Sequence, residues 1–160
     1  MAVVFGLLAA AASAQVKSGD PFPSLATADF DGILPATTGR VVLVDFWASW
    51  CAPCQDSFPA YARLQEAYAA RGLVILAVSV DQAVPAFAAF VRKLHPPFPT
   101  VRDRGQKLVR EVQVPTMPSS YLLGRDGTVR FMHAGFYRER TEGELRQEIE
   151  SLLREETPHS

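Results

Sequence analysis

The chain has 160 residues, the length of a single domain, and its composition of 48% hydrophobic and 21% charged residues is typical of a folded protein with a packed core. Sixteen basic and 17 acidic residues give a formal net charge of −1 at pH 7. This balance excludes the strongly basic surface on which nucleic-acid binding depends, so we expect no nucleic-acid partner.

The first 14 residues have the pattern of a secretory signal peptide. Residues 2–14 form an apolar run that ends in Ala12-Ser13-Ala14, which matches the A-x-A pattern of a cleavage site, and the run is too short to cross a bilayer. No Lys or Arg precedes the run, so either the true start lies upstream or the signal is weak. A buried N-terminal helix is the alternative. We expect cleavage after Ala14 and export, for example to the periplasm.

Periodicity predicts one α/β domain after a polar arm. The arm spans residues 15–27, the domain 28–156 and a short tail 157–160. Within the domain we expect a peripheral hairpin in residues 28–38, strands at 41–47, 73–80, 98–101, 120–123 and 129–133, and helices at 52–71, 83–94, 106–112 and 141–154. Parallel strands with helical crossovers followed by an antiparallel pair predict a central mixed β-sheet flanked by helices.

Three local patterns add detail to this prediction. Pro59 lies inside the first predicted helix and should kink it, because proline lacks an amide donor. Thr141, followed three residues later by Glu144, has the pattern of a capping box at the start of the last helix. The charged segment Arg102-Asp103-Arg104 is expected to be a solvent-exposed turn.

The only two cysteines of the chain, Cys51 and Cys54, stand where the first buried strand meets the first helix. Chemistry tends to gather at this carboxyl edge of an α/β sheet. Free amides and the helix dipole favour a thiolate at Cys51, and Cys54 lies on the same helical face, within reach of a disulfide. The pair predicts a redox-active disulfide in which Cys51 attacks a target disulfide and Cys54 resolves the mixed disulfide.

Two other interpretations of the Cys-x-x-Cys spacing are weaker. A structural zinc site needs four ligands, and His95, His133 and His159 add neither a second Cys-x-x-Cys nor a His pair at the usual spacing. A purely structural disulfide across so short a loop would remove little entropy from the unfolded chain. We therefore expect no metal and no cofactor. Ala52-Pro53, between the cysteines, carries no positive charge, which favours a reductant over a strong oxidant.

Residues 44–54, VDFWASWCAPC, resemble the signature of thioredoxin. The signal-peptide pattern, the arm and residues 117–127, MPSSYLLGRDG, resemble the exported TlpA/ResA-type thioredoxins, and the likeness extends from about Asp20 to Leu153. It implies the thioredoxin fold and a thiol–disulfide oxidoreductase that acts on disulfide-bearing protein substrates, with a membrane thiol reductase as electron donor. We expect a monomer. A non-catalytic thioredoxin-fold binding module, or an accessory for apocytochrome or metalloprotein assembly, is the alternative, although such a role would not require both thiols.

The resemblance also implies a substrate-binding loop. Pro118 would be the cis-proline that faces the disulfide, with Met117 beside it, while Pro115 in the same stretch competes for this role. In the family this loop docks an extended substrate segment. Trp50, next to Cys51, is expected to form part of the same substrate-binding surface.

Asp45 matches the buried acid of thioredoxin, which is proposed to manage the proton of the second cysteine. An acid among apolar residues is costly unless it stays protonated, and a raised pKa suits a proton acceptor that works near neutral pH. An Asp on an edge strand that faces solvent is the alternative. Two residues depart from the families: Ala77 stands where thioredoxin has a lysine near the acid, and Ser57 stands where TlpA/ResA-type proteins have a glutamate. Asp45 is therefore the preferred catalytic acid.

Overall fold

The computed structural model describes residues 14–155. The expected signal peptide, apart from Ala14, and the expected tail lie outside these residues. The helices and strands are β1 (Phe30–Asp31), β2 (Val41–Trp47), α1 (Ala52–Tyr68), β3 (Leu73–Ser79), α2 (Val84–Leu94), β4 (Thr100–Asp103), α3 (Lys107–Val112), β5 (Ser119–Leu123), β6 (Val129–Ala134) and α4 (Glu139–Arg154). Within residues 14–155 no helix has the length and apolar character needed to span a bilayer.

The six strands form one mixed sheet in the order β1-β4-β3-β2-β5-β6. Strand β2 lies near its centre, parallel to β3 and antiparallel to β5. Every residue of β2 and of β3 is buried, as expected for continuous β-branched and aromatic runs. The predicted α/β class and the mixed sheet flanked by helices are confirmed.

Helices α1 and α2 pack on the same face of β2 through an aromatic cluster. The Trp47 ring lies 5.2 Å from the Phe58 ring of α1 and 4.3 Å from the Phe90 ring of α2, measured between centroids. Helix α1 runs through Pro59 as one helix, with Pro59 on its exposed side. The cluster anchors the start of α1 over the carboxyl end of β2, where the two cysteines lie.

The polar arm follows the outer part of the sheet. Val16 donates its amide to the carbonyl of Val112 at 3.1 Å, and Gly19 donates to Val129 at 2.8 Å. The Phe22 ring packs 5.6 Å from that of Tyr121, which pairs with Val44 of β2. Since side chains alternate along a strand, the arm covers the face opposite to Asp45.

The predicted hairpin in residues 28–38 is wrong. Only Phe30–Asp31 is a strand, and it pairs antiparallel with β4, with Asp31 opposite Arg102. The carboxylate of Asp31 forms ion pairs with Arg102 and with Arg104. The partner of this strand is distant in sequence, so local turn signals could not identify it.

The predicted exposed turn at residues 102–104 is also wrong. Strand β4 extends to Asp103, two residues beyond the predicted end, and Arg102 and Asp103 are buried. The carboxylate of Asp103 accepts the amides of Lys107 and Val109 at the start of α3, at 3.1 and 2.9 Å. The ion pair with Asp31 allows Arg102 to be buried, and the amides at the start of α3 allow Asp103 to be buried.

The predicted capping box at Thr141 is wrong as well. Helix α4 begins at Glu139, so Thr141 lies inside its first turn, where its hydroxyl accepts the amide of Tyr137 at 2.9 Å. Glu144 reaches His133 of β6 instead, with 3.6 Å between Oε2 and Nδ1. The hydroxyl of Thr141 therefore ties the preceding loop to the helix.

Candidate active site

The two cysteines lie at the junction of β2 and α1. Strand β2 ends at Trp47, and the turn that follows is closed by a hydrogen bond from the Cys51 amide to the Ala48 carbonyl, at 3.1 Å. Cys51 caps helix α1, and its Sγ accepts the amide of Cys54 at 3.3 Å. Pro53 lies in the first turn of the helix, where its missing donor has no cost.

Cys51 and Cys54 form a disulfide with 5.3 Å between their Cα atoms. Cys54 is completely buried, whereas 5% of the Cys51 surface is accessible. Of the two cysteines, the one with accessible surface is therefore the residue at the helix N-terminus, where amides and the dipole stabilise a thiolate.

The Met117-Pro118 loop lies beside this junction. The peptide bond between Met117 and Pro118 is cis, and it is the only cis bond among residues 14–155, so Pro115 is not in this conformation. Ser119 pairs with Phe46, which places Pro118 at the carboxyl end of β2, next to the turn that carries Cys51. The carbonyl of Pro118 accepts the amide of Gly135 at 2.7 Å, which ties the loop to the end of β6.

The side chains around the junction differ in exposure. Trp50 immediately precedes Cys51, and 72% of its surface is exposed. Met117 is half-buried and Pro118 is buried. Trp50 therefore presents a large aromatic surface directly beside Cys51.

Asp45 lies in the middle of the sheet and is completely buried, so the alternative of a solvent-facing acid on an edge strand is wrong. Its neighbours across the sheet are Ala77 on β3 and Ser120 on β5. The hydroxyl of Tyr61 donates to Asp45 Oδ1 at 2.9 Å, and no residue between 14 and 155 bonds to Oδ2. Burial raises the pKa of Asp45 well above its usual value, and the hydrogen bond from Tyr61 opposes this only in part.

Sequence reasoning missed Tyr61, which α1 holds against Asp45. Burial, followed by the negative charge of Asp45, raises the pKa of the Tyr61 hydroxyl well above its usual value, whereas hydrogen bonding to the Ser120 and Ser57 hydroxyls lowers it. Tyr61 lies two helical turns after Cys54 and so on the same face of α1. The spacing of Tyr61 from Cys54 was the available sequence signal for its place in the site, but the same spacing is equally typical of a core residue.

Ser57 is buried, and its hydroxyl donates to the carbonyl of Cys54 at 2.9 Å. Together with Asp45, Tyr61 and Ser120 it forms a buried polar group of one acid and three hydroxyls beneath the disulfide-bearing helix. The position that carries a glutamate in TlpA/ResA-type proteins is therefore neutral here.

The described histidines offer no metal-binding cluster. No group of three His, Cys, Asp or Glu side chains in residues 14–155 has a geometry that could hold a metal ion. His133 of β6 instead bonds to Glu148 of α4, with 2.8 Å between Nε2 and Oε2.

Comparison with known proteins decides the family. The profile of the AhpC/TSA family matches residues 19–132. The chain belongs to the AhpC/TSA family. Within this thioredoxin-like family it resembles thiol-disulfide oxidoreductase ResA: the Bacillus anthracis protein is 29% identical over 147 residues, 90% of this chain and 81% of that one. ResA of Bacillus cereus is 30% identical over 118 residues, 72% of this chain and 68% of that one.

A solved structure supports the same assignment. A protein of Chlorobium tepidum, described as thiol:disulfide interchange protein DsbE, is 32% identical and superposes with a TM-score of 0.75, covering 87% of this chain and 99% of that chain. The expected thioredoxin fold and the likeness to TlpA/ResA-type proteins are confirmed. This AhpC/TSA member is a thiol–disulfide oxidoreductase.

Proposed function

We propose that this oxidoreductase reduces disulfide bonds of exported proteins, with Cys51 as the attacking thiol and Cys54 as the resolving thiol. The observation that carries the proposal is the asymmetry of the pair. Cys51 caps α1, and its sulfur accepts the Cys54 amide, whereas Cys54 has no accessible surface. Cys51 is therefore the cysteine that has surface for a substrate disulfide to approach, and Cys54 has none.

The exchange proceeds in two balanced steps. The Cys51 thiolate attacks one sulfur of the substrate disulfide, so that a Cys51–substrate bond forms, the substrate S–S bond breaks and one substrate thiolate leaves. Cys54, as a thiolate, then attacks Cys51 Sγ and expels the second substrate thiolate. Two electrons pass from the dithiol to the substrate, and the Cys51–Cys54 disulfide remains.

Cys54 must lose a proton before it attacks, and we assign this proton to Asp45. Cys54 and Tyr61 share one face of α1, and Tyr61 bonds to Asp45 Oδ1, which directs Asp45 toward that face. Oδ2 has no partner among residues 14–155 and can accept the proton. Because its pKa is raised, the Asp45 carboxylate is a stronger base than an ordinary carboxylate. Its basicity is therefore closer to that of a thiolate.

Trp50, Met117 and Pro118 would form the substrate-binding surface. Trp50 is exposed beside Cys51, and the Met117-Pro118 loop lies at the same edge of the sheet. An extended substrate segment that lies along this loop would bring its disulfide to Cys51.

Export, and electron supply by a membrane thiol reductase, belong to the same proposal. The apolar run of residues 2–14 with its A-x-A ending supports export. The uncharged Ala52-Pro53 pair supports the reducing direction, because it lacks the cation that would stabilise the Cys51 thiolate and make the disulfide strongly oxidising.

Insulin reduction with dithiothreitol as the electron source, together with the reduction potential of the disulfide, tests the proposal. We expect catalysed reduction by the wild-type protein, none by Cys51→Ser, and a potential more negative than about −180 mV. A potential near −120 mV, the range of strong oxidants, would reverse the proposed direction. Absence of catalysis, with protein binding retained in Cys51→Ala, would favour a binding module instead.

A further inference from the structure

Asp81 is a buried acid that contacts the turn before Cys51. It lies two residues after β3, and 3% of its surface is exposed. Its two carboxylate oxygens accept the amide of Ser49 at 3.0 and 3.2 Å, and Oδ1 also accepts the Ser49 hydroxyl at 2.8 Å. Oδ2 accepts the hydroxyl of Ser79 at 2.8 Å. The carboxylate is thus committed to hydrogen bonds with the active-site turn and with the end of β3.

Ser49 is an inner residue of the Ala48–Cys51 turn, which sets where Cys51 and the exposed Trp50 stand. Ser49 is half-buried, and an amide shielded from water without an acceptor is costly, so the bond to Asp81 stabilises the backbone of the turn at this residue. In the oxidised protein the Cys51–Cys54 disulfide also restrains Cys51. After reduction that restraint is lost, and the bonds from Ser49 to Asp81 remain.

Asp81 is itself held by a residue of β4, the strand next to β3. Arg102 of β4 donates through Nη1 to the carbonyls of Asp81 and Gln82, at 3.3 and 3.2 Å. The same guanidinium forms an ion pair with Asp31 of β1. A continuous line of polar contacts therefore joins β1 to the turn that carries Cys51.

We infer that Asp81 is a positioning residue for Cys51, which holds the Ala48–Cys51 turn through Ser49 while the dithiol is reduced. The inference rests on the proposed function, in which Cys51 is the attacking thiol. It gives a role to Asp81 and Arg102, two buried charged residues that belong neither to the cysteine motif nor to the cis-proline loop.

Two substitutions separate the hydrogen bonds of Asp81 from its charge. Asp81→Asn keeps one side-chain oxygen for the Ser49 amide and gains an amide that can donate to the Ser49 hydroxyl, whereas Asp81→Ala keeps neither. Both variants remove the negative charge of Asp81, so any direct effect of that loss on the Cys51 thiol is the same in the two. Asp103→Ala is the matched control, because Asp103 is an equally buried acid that binds the start of α3 instead of the turn.

The measurement is the pH profile of alkylation by iodoacetamide in a Cys54→Ser background, in which Cys51 is the one thiol of the chain. We expect Asp81→Ala to react about tenfold more slowly than Asp81→Asn at pH 7, with its midpoint shifted to higher pH, because the misplaced sulfur loses the helix amides. We expect Asp103→Ala to match its Cys54→Ser parent.

Equal profiles for Asp81→Ala and Asp81→Asn, or an equal change in Asp103→Ala, would overturn the inference. If Asp81→Ala does not fold, Ser49→Ala decides: we expect its alkylation to slow about twofold, and an unchanged rate would overturn the inference. Alkylation needs no substrate protein. Failure of the wild-type protein to reduce insulin would therefore count against the proposed function and leave this comparison intact.

Discussion

Asp45 combines a central position in the sheet with an incomplete set of partners. Ala77 stands opposite it on β3, so no cation on that strand stabilises the carboxylate, and Tyr61 bonds to only one of its two oxygens. A buried acid in these surroundings keeps its proton to higher pH than in the unfolded chain. The same property that suits Asp45 to accept a proton from a thiol makes the folded protein sensitive to pH.

We expect Asp45 to make the oxidised protein less stable as pH rises. Its folded-state pKa is raised, so the protonated acid favours the folded state fully below its usual pKa of 3.8, and this advantage is lost as pH rises through the folded-state pKa. Relative to Asp45→Asn, the wild-type free energy of unfolding should fall by up to about 1.4 kcal/mol per pH unit across that interval. Urea denaturation of both oxidised proteins at a series of pH values measures this difference.

Tyr61→Phe provides the matched variant for this prediction. It removes the hydrogen bond that lowers the pKa of Asp45, so the decline should extend to higher pH than in the wild-type protein. A wild-type curve parallel to that of Asp45→Asn from pH 4 upward would show that Asp45 is ionised normally, which would remove the basis for its role as proton acceptor.

At the scale of the elements, Asp103 joins β4 to α3. Its carboxylate accepts three amides at the start of the helix, those of Lys107, Leu108 and Val109. Asp103→Ala would leave these donors without their partner inside the protein, so we expect the free energy of unfolding to fall by about 2 kcal/mol. Asp126→Ala, which removes an acceptor of the Thr128 amide at the exposed β5–β6 turn, should cost less than about 1 kcal/mol. Urea denaturation measures both, and equal losses would contradict the assigned role of Asp103.

Sequence periodicity predicted β2 and β3, in which every residue is buried, to within one residue of their observed bounds. Strand β2 has the predicted bounds, 41–47, because its β-branched and aromatic run, interrupted only by Asp45, is typical of a strand buried on both faces. The predictions for segments 28–38 and 102–104 are wrong for a shared reason: the charged residues Asp31 and Arg102 pair with each other across the sheet, which leaves Arg102 buried and Asp31 partly buried. Local sequence carries no signal for a partner so distant along the chain.

At the scale of the whole molecule, the site combines short-range and long-range information. The Cys51–Cys54 spacing and the acid among apolar residues at Asp45 are local patterns, and the candidate site was predicted from them together with the resemblance to thioredoxin. Tyr61 and Asp81 gain their significance only when α1 lies over β2 and when β3 ends beside the Ala48–Cys51 turn. The fold therefore supplies the residues that hold the reactive groups, whereas the motif supplies the reactive groups themselves.

The central claim is that Cys51 attacks the substrate and Cys54 resolves the intermediate. The most direct test is to incubate reduced Cys54→Ser and Cys51→Ser proteins with oxidised insulin, and to identify dithiothreitol-sensitive adducts by non-reducing electrophoresis and mass spectrometry. Cys54→Ser should accumulate a mixed disulfide through Cys51, because the resolving thiol is missing, and Cys51→Ser should form none. Adducts in Cys51→Ser at a similar level, or none in Cys54→Ser, would contradict this assignment.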